Sequence, residues 1–299
     1  MISLSVISVF GNLLSESSVS EVDIGEILPE TPTTAIEFSS TTIAALIIGA
    51  VLSFLIPIAA VTIFKLKNRD ARLPSVFVGA ITFIVFALVL EQLLHMIMLP
   101  IVQGNAVVYV IYGALAAGIF EETGRLVAYK VVMKDNLSVN NSVMMGLGHG
   151  GLEMMILLGF SLIGLAGSAI MVYNNGVEST INTLSQGNPD VVESVRQQLE
   201  NIASYNFGIV ALTIYERLIA MTFHVCMSVL VYHAVTQPGQ IKLYVLAILL
   251  HAALDVPAAM YQVGLMPLGV VYIIMTIMTA AVVGFIIFMT KRFNDLYEN

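Results

Sequence analysis

Seven apolar segments, each long enough to cross a bilayer, constrain this chain more than any other feature. They run approximately over residues 42–64, 75–100, 107–133, 142–167, 206–235, 241–263 and 267–290. A spanning helix needs about 20 predominantly apolar residues. Hydrocarbon offers no partner for a backbone N–H or C=O, so such runs must be helices. The fold class expected is therefore an all-α polytopic membrane protein of seven transmembrane helices. The composition agrees: 58% of residues are hydrophobic and only 11% charged, against about 25% charged in ordinary globular proteins. The single cysteine, Cys226, excludes an intrachain disulfide and a cysteine-rich metal site. No stretch is basic enough for nucleic-acid binding.

Orientation follows from charge. Lys65, Lys67, Arg69 and Arg72 follow the first segment, Lys130 and Lys134 the third, Lys242 the fifth, and Lys291 and Arg292 the seventh. All fall on one side, which the positive-inside rule makes cytoplasmic. The expectation is an N-terminus outside, a C-terminus inside and a multi-pass chain of a prokaryotic plasma membrane. Residues 1–41, acidic and rich in Ser and Thr, read as a polar extracytoplasmic segment. Residues 42–299 read as a single helical membrane domain with an extracytoplasmic helical loop at about 168–205. Within that loop Asn188-Pro189-Asp190 looks like a helix start. Val192, Val195, Leu199 and Ile202 then recur at helical spacing.

Four of the spans carry ionisable residues that a bilayer disfavours by roughly 2.5–3.5 kcal/mol each at the helix centre. They are Glu121, Glu122 and Arg125 in GIFEETGR, His149 and Glu153 in GLGHGGLE, Glu216, Arg217 and His224 in YERLIAMTFH, and His251 and Asp255 in LLHAALD. With the orientation above, the groups fall in one band of the cytoplasmic half, at about 1.5 Å per residue. Glu121/Arg125, His149/Glu153 and His251/Asp255 are i,i+4 pairs, so each pair shares a helix face. Several such groups at one depth must pair with each other, with water or with a metal. Imidazoles with carboxylates suit a zinc-type ion, and a carboxylate beside its water can act as base. An i,i+4 carboxylate can instead orient the ring. Gly146, Gly148, Gly150 and Gly151 surround His149, and Gly118 and Gly124 flank the glutamates; small residues let membrane helices approach closely, and here they would open room for a substrate backbone or water. Glu91 and His95 form another i,i+4 pair, but in the outer half of the second span, where structural pairing or lining of a cavity is expected. His233, near its helix end, is expected at the surface.

The EExxR, GHGGLE and HAALD runs resemble the YhfC family of intramembrane metalloproteases, related to the clan of CAAX-prenyl and bacteriocin-processing proteases. The resemblance covers the chain from about residue 40 onward. It implies a peptidase in which Glu121 activates water, while His224, His251 and Asp255 match later site positions. Two departures stand out. Arg125 follows the glutamate pair after two residues rather than three, and His149 is an additional histidine at site depth. The extra histidine makes a metal site of His149, His224 and His251 possible. Glu121, Glu122 and Arg125 are then the candidate catalytic residues, with Glu153, Asp255, Glu216 and Arg217 assisting. The cofactor implied is Zn2+, and the partners are a peptide or membrane-protein substrate and the bilayer itself. Rival readings of the same residues are a metal-free glutamate protease, a proton-coupled transporter or channel, and an inactive binding protein. No HExxH, GxSxG, Walker or Rossmann glycine pattern occurs.

Overall fold

A computed structural model of the protein describes residues 36 and 38–297. The expected N-terminal polar segment therefore lies outside the described residues, apart from its last few positions. Among the described residues there is no strand, and seven helices are long and apolar enough to cross a membrane. The protein is an all-helical, multi-pass membrane protein. We number its helices α1 (Ser40–Lys67), α2 (Pro74–Val102), α3 (Ala106–Val132), α4 (Val139–Asn175), α5 (Val177–Leu184), α6 (Pro189–Ala203), α7 (Phe207–Thr236), α8 (Lys242–Gln262) and α9 (Leu268–Tyr297).

The chain falls into two compact units. The first comprises Leu52–Leu158 and residues 213–297; the second comprises residues 38–51 and Gly159–Leu212.

In the first unit, glycines set the helix spacing. A Cβ on Gly79 of α2 or Gly148 of α4 would collide with the Met145 or Val76 carbonyl of the other helix. A Cβ on Gly118 of α3 would lie 2.7 Å from the Ile248 carbonyl oxygen of α8. Without a hydrophobic drive between helices in lipid, such backbone proximity supplies van der Waals contact instead. The glycines therefore close the helices together rather than leave room for a substrate. The core beside them is built from Tyr129, Phe223, Met227, Leu230, Leu254 and Met275. His233 belongs to this interior and not to the surface expected for it. It is 1% exposed, bonds Thr290 at 3.0 Å and lies against Phe293, because the last turns of α9 pack over the end of α7.

Three stretches wind more loosely, with π-helical i→i+5 bonding: Phe83–Glu91, Ala128–Val132 and Met154–Phe160. Such turns are rare and frequently sit at functional sites. Here each adjoins a polar cluster. Glu91 ends the first, Arg125 lies one turn before the second, and Glu153 immediately precedes the third.

In the second unit, α4 continues well past the sequence-based limit at residue 167. Nothing in LIGLAGSAIMVYNN breaks a helix until Gly176, whose φ of +82° favours glycine. The 168–205 region is consequently mostly helix. α6 starts where the Asn188 side chain accepts the Asp190 N–H at 3.0 Å, with Pro189 in the first turn. Arg196 pairs with Glu178 of α5 at 3.0 Å.

Candidate metal and catalytic site

All ten sequence-selected residues lie in the first unit, on four helices. α3 supplies Glu121, Glu122 and Arg125. α4 supplies His149 and Glu153, α7 supplies Glu216, Arg217 and His224, and α8 supplies His251 and Asp255. Nine are buried, and Glu121, Glu122, Arg125 and His149 have no exposed surface at all. Glu216 is at the edge and partly exposed.

Glu121 is the hub. Its Oε2 lies 2.8 Å from His149 Nε2, 3.6 Å from His224 Nδ1 and 3.8 Å from His251 Nε2. Three imidazoles from three different helices thus converge on one carboxylate oxygen. The ring centroids of His149 and His224 are 4.8 Å apart, and those of His224 and His251 5.4 Å. Glycine makes this convergence possible. A Cβ on Gly150 would lie 2.8 Å from the Met221 Cα and 3.2 Å from the His224 Cβ. Any larger residue there would push α7, and His224 with it, away from α4.

A surrounding layer fixes each ring. His251 Nδ1–H donates to Glu122 Oε1 at 2.6 Å, which turns Nε2 toward Glu121. Arg125 donates from Nη1 to the same Glu122 oxygen at 2.6 Å and from Nε to the Ser228 hydroxyl at 3.3 Å. Its Nη2 is 2.7 Å from His224 Nδ1. A guanidinium can only donate, so Nδ1 of His224 accepts and its Nε2 carries the proton. That Nε2 faces Glu153 Oε2 at 2.5 Å. Arg217 in turn donates to Glu153 Oε1 at 2.8 Å and pairs with Glu216. Asp255 Oδ2 stands 3.7 Å from His251 Nε2. Two aromatic rings complete the enclosure, Phe83 edge-on to His149 at 5.2 Å and Phe223 edge-on to His251 at 5.6 Å.

Two compact donor groups result: Glu121, His224 and His251, and His149, Glu153 and His224. In each, the ligand atoms lie within 4.8 Å of one another, and His224 belongs to both. The three histidines expected as a set are thus joined through glutamates. Sequence reasoning missed Ser228 and the two phenylalanines. Ser228 was findable, being four residues from His224 on the same face; Phe83 carries no signal along the chain.

The polar layer, buried inside an apolar bundle, marks a membrane protein with interior histidines and carboxylates grouped closely enough that they could hold a metal ion. The chain belongs to the YhfC intramembrane metalloprotease family, whose model matches residues 52–279 and so covers every residue of the site. It is 32% identical over 263 residues to a Bacillus subtilis (strain 168) protein described as the uncharacterized membrane protein YhfC, covering 85% of this chain and 98% of that protein. No solved structure matches.

Proposed function

We propose that the protein is a metal-dependent intramembrane peptidase acting on a peptide or membrane-protein substrate, with its site in the cytoplasmic half of a plasma membrane. The single observation that carries this reading is the convergence of three buried imidazoles on Glu121 Oε2, at 2.8, 3.6 and 3.8 Å. The family's name supports the reaction class.

The donor set fits a zinc-type ion. Imidazole nitrogens and carboxylate oxygens are its usual ligands, most often three from the protein. Charge points the same way. Four buried carboxylates, Glu121, Glu122, Glu153 and Asp255, face two buried guanidinium groups, Arg125 and Arg217. With neutral histidines, a negative excess is left in a medium where unpaired charge is costly. A divalent cation would neutralise it. His149 Nδ1 is moreover a buried nitrogen without a hydrogen-bond partner among the described residues.

His149, His224 and His251 would hold the ion, His224 through the Nδ1 that Arg125 Nη2 contacts in this structure and would have to release. Once bound, it supplies Lewis-acid polarisation of a water and of the scissile carbonyl. Glu121, beside all three rings, accepts the proton of the attacking water and returns it to the leaving amine. Glu122 holds His251 by accepting its Nδ1–H, and the Glu153 carboxylate stands against His224 at Nε2. Arg217 keeps Glu153 in place, and Arg125 holds Glu122. Phe83 and Phe223 exclude bulk water from the ring faces.

The test is metal content per chain in the detergent-purified protein, measured by mass spectrometry for wild type, His149→Ala, His224→Ala, His251→Ala and Glu121→Gln. Roughly one ion in wild type, lost in the histidine variants, supports the reading. A well-folded wild type that takes up no zinc sinks it. One observation favours a metal-free glutamate protease as the second reading, the direct 2.8 Å bond between His149 Nε2 and Glu121. New protein termini that appear in cells making the wild type, and persist under strong chelation of the purified enzyme with its substrate, would select that alternative.

A further inference from the structure

A groove encloses about 640 Å³ between the start of α4, the middle of α7 and the last third of α9. It lies within the first unit, apart from the site described above. Its wall is apolar along most of its length, through Val143, Val225, Val229, Val283 and Ile286, and Cys226 lines it too. One end is charged, with Lys291 and Asp295. Lys291 is exposed, Asp295 follows it one turn on, and Arg292 is its neighbour.

We propose that this groove binds one membrane phospholipid with an anionic headgroup, its acyl chain along the valine wall and its phosphate at Lys291. Three features of the groove choose the occupant. The first is depth. Lys291 lies at the end of the α9 span, which closes at Phe293. From there to Val283 is about 12 Å at 1.5 Å per residue, roughly the hydrocarbon depth of one leaflet in a core about 30 Å thick. A transmembrane helix would need a groove twice as long. The second is polarity. An apolar trough whose interfacial end carries Lys291 and the neighbouring Arg292 against Asp295, a net single positive charge, matches an amphiphile with a negative head, and basic pockets between membrane helices bind such headgroups. The third is the width of the wall. Val225, Val229 and Cys226 leave a shallow face where bulkier side chains would fill the trough.

The full-length protein, purified in mild detergent, is titrated with phosphatidylglycerol and, separately, with phosphatidylcholine, and bound lipids are counted by native mass spectrometry. Wild type is expected to take up one phosphatidylglycerol at least five-fold more readily than phosphatidylcholine. Lys291→Gln, a surface change that leaves the bundle intact, should lose that preference, and Val229→Phe should lower uptake of both lipids. Native Cys226 offers a second readout without mutation. Its alkylation by N-ethylmaleimide should slow in wild type when phosphatidylglycerol is added, and should not slow in Lys291→Gln. Equal uptake of the two lipids by wild type, or a preference that survives Lys291→Gln, overturns the proposal. So does a dimer mass with Cys226 protected in the absence of lipid, which would give the groove to a second copy of the chain.

Discussion

Two helices of this protein carry a buried glutamate and histidine one turn apart, and the two pairs come to different ends. On α4, His149 and Glu153 enter a network that reaches α3, α7 and α8. On α2, Glu91 and His95 pair with each other at 3.2 Å, and His95 bonds the Tyr112 hydroxyl at 2.6 Å. Among the described residues the hydrogen-bond network stops there, with Glu91 Oε2 lacking a partner. Spacing along one helix is the same in both cases. What differs is the supply from neighbours. Around His149, glycines admit the backbones of α2 and α7, and these bring the Phe83 ring from α2 and the His224 ring and Arg217 charge from α7. Around His95, one tyrosine arrives. A polar pair in a membrane helix becomes a multidentate site only where other helices can come close enough to add donors.

The largest effect expected from this comparison is at its hub. Glu121→Gln keeps the shape of the side chain but removes its basicity. Cleavage should fall by about 10²- to 10⁴-fold, the usual worth of a general base, while bound metal stays at the wild-type level. The corresponding change on α2, Glu91→Gln, should leave cleavage within about two-fold, well inside the range that marks a lost base. Metal content and product formation measured on the same samples decide the matter. If Glu121→Gln loses the metal along with activity, Glu121 is a ligand and not the base, and the group of Glu121, His224 and His251 is the centre.

Next in size come the carboxylates that orient the rings. Glu122→Gln and Glu153→Gln should each weaken zinc affinity by about 10- to 100-fold, as loss of a ring-orienting partner does elsewhere. A competition titration against a zinc-sensitive chelator reads this directly. Arg217→Met removes the group that holds Glu153 from 64 residues away along the chain, so it should move affinity in the same direction as Glu153→Gln. The double variant should cost no more than the larger single one, because both act through His224. Additive losses would mean that Arg217 serves the site by another route.

How far the site was legible follows from where each signal resides. Seven spans are visible because hydrocarbon leaves one option for an apolar run of that length. The i,i+4 pairs are visible because a helix has a fixed period. The hub role of Glu121 was half visible, since shared depth groups the residues without saying which atom the rings face. Arg125 shows the limit. Its contact with Glu122 is local, three residues along one helix, but its bonds to His224 and Ser228 cross about a hundred residues of sequence. The end of α4 was misplaced by eight residues, because polar residues near a membrane surface look like a loop even while the backbone stays helical. The glycines were recognised as important, yet whether they admit a substrate or a neighbouring helix depends on what stands opposite, which no single helix encodes.

That last distinction gives a test of moderate size within one helix. Gly113 and Gly118 both lie on α3, but a Cβ at Gly113 meets nothing within 4 Å, while one at Gly118 would press on the Ile248 carbonyl. Gly118→Val should destabilise the protein by about 1–3 kcal/mol, the usual cost of overpacking, and should reduce metal binding by displacing His251, three residues from Ile248. Gly113→Val should do neither. Thermal unfolding of the purified variants, with zinc uptake measured alongside, compares them. Equal effects at the two positions would refute the idea that close approach of α3 and α8 sets the site.

The smallest effect belongs to the α2 pair. Tyr112→Phe removes the hydroxyl that meets His95 and keeps the ring that lies 5.4 Å from it, edge-on. If the pair is structural, the loss should be that of one partly buried hydrogen bond, about 0.5–1.5 kcal/mol, seen as a modest drop in unfolding temperature with zinc affinity unchanged. The argument for a small effect is geometric. Buried positions on α2 recur as Phe83, Ala87, Glu91 and His95, and only the first of these touches a ring of the site. Ala87 separates the contact with His149 from the Glu91 carboxylate, and an alanine relays no hydrogen bond. A zinc affinity that falls ten-fold in Tyr112→Phe would show that the two polar clusters work as one, and the contrast drawn between them would fail.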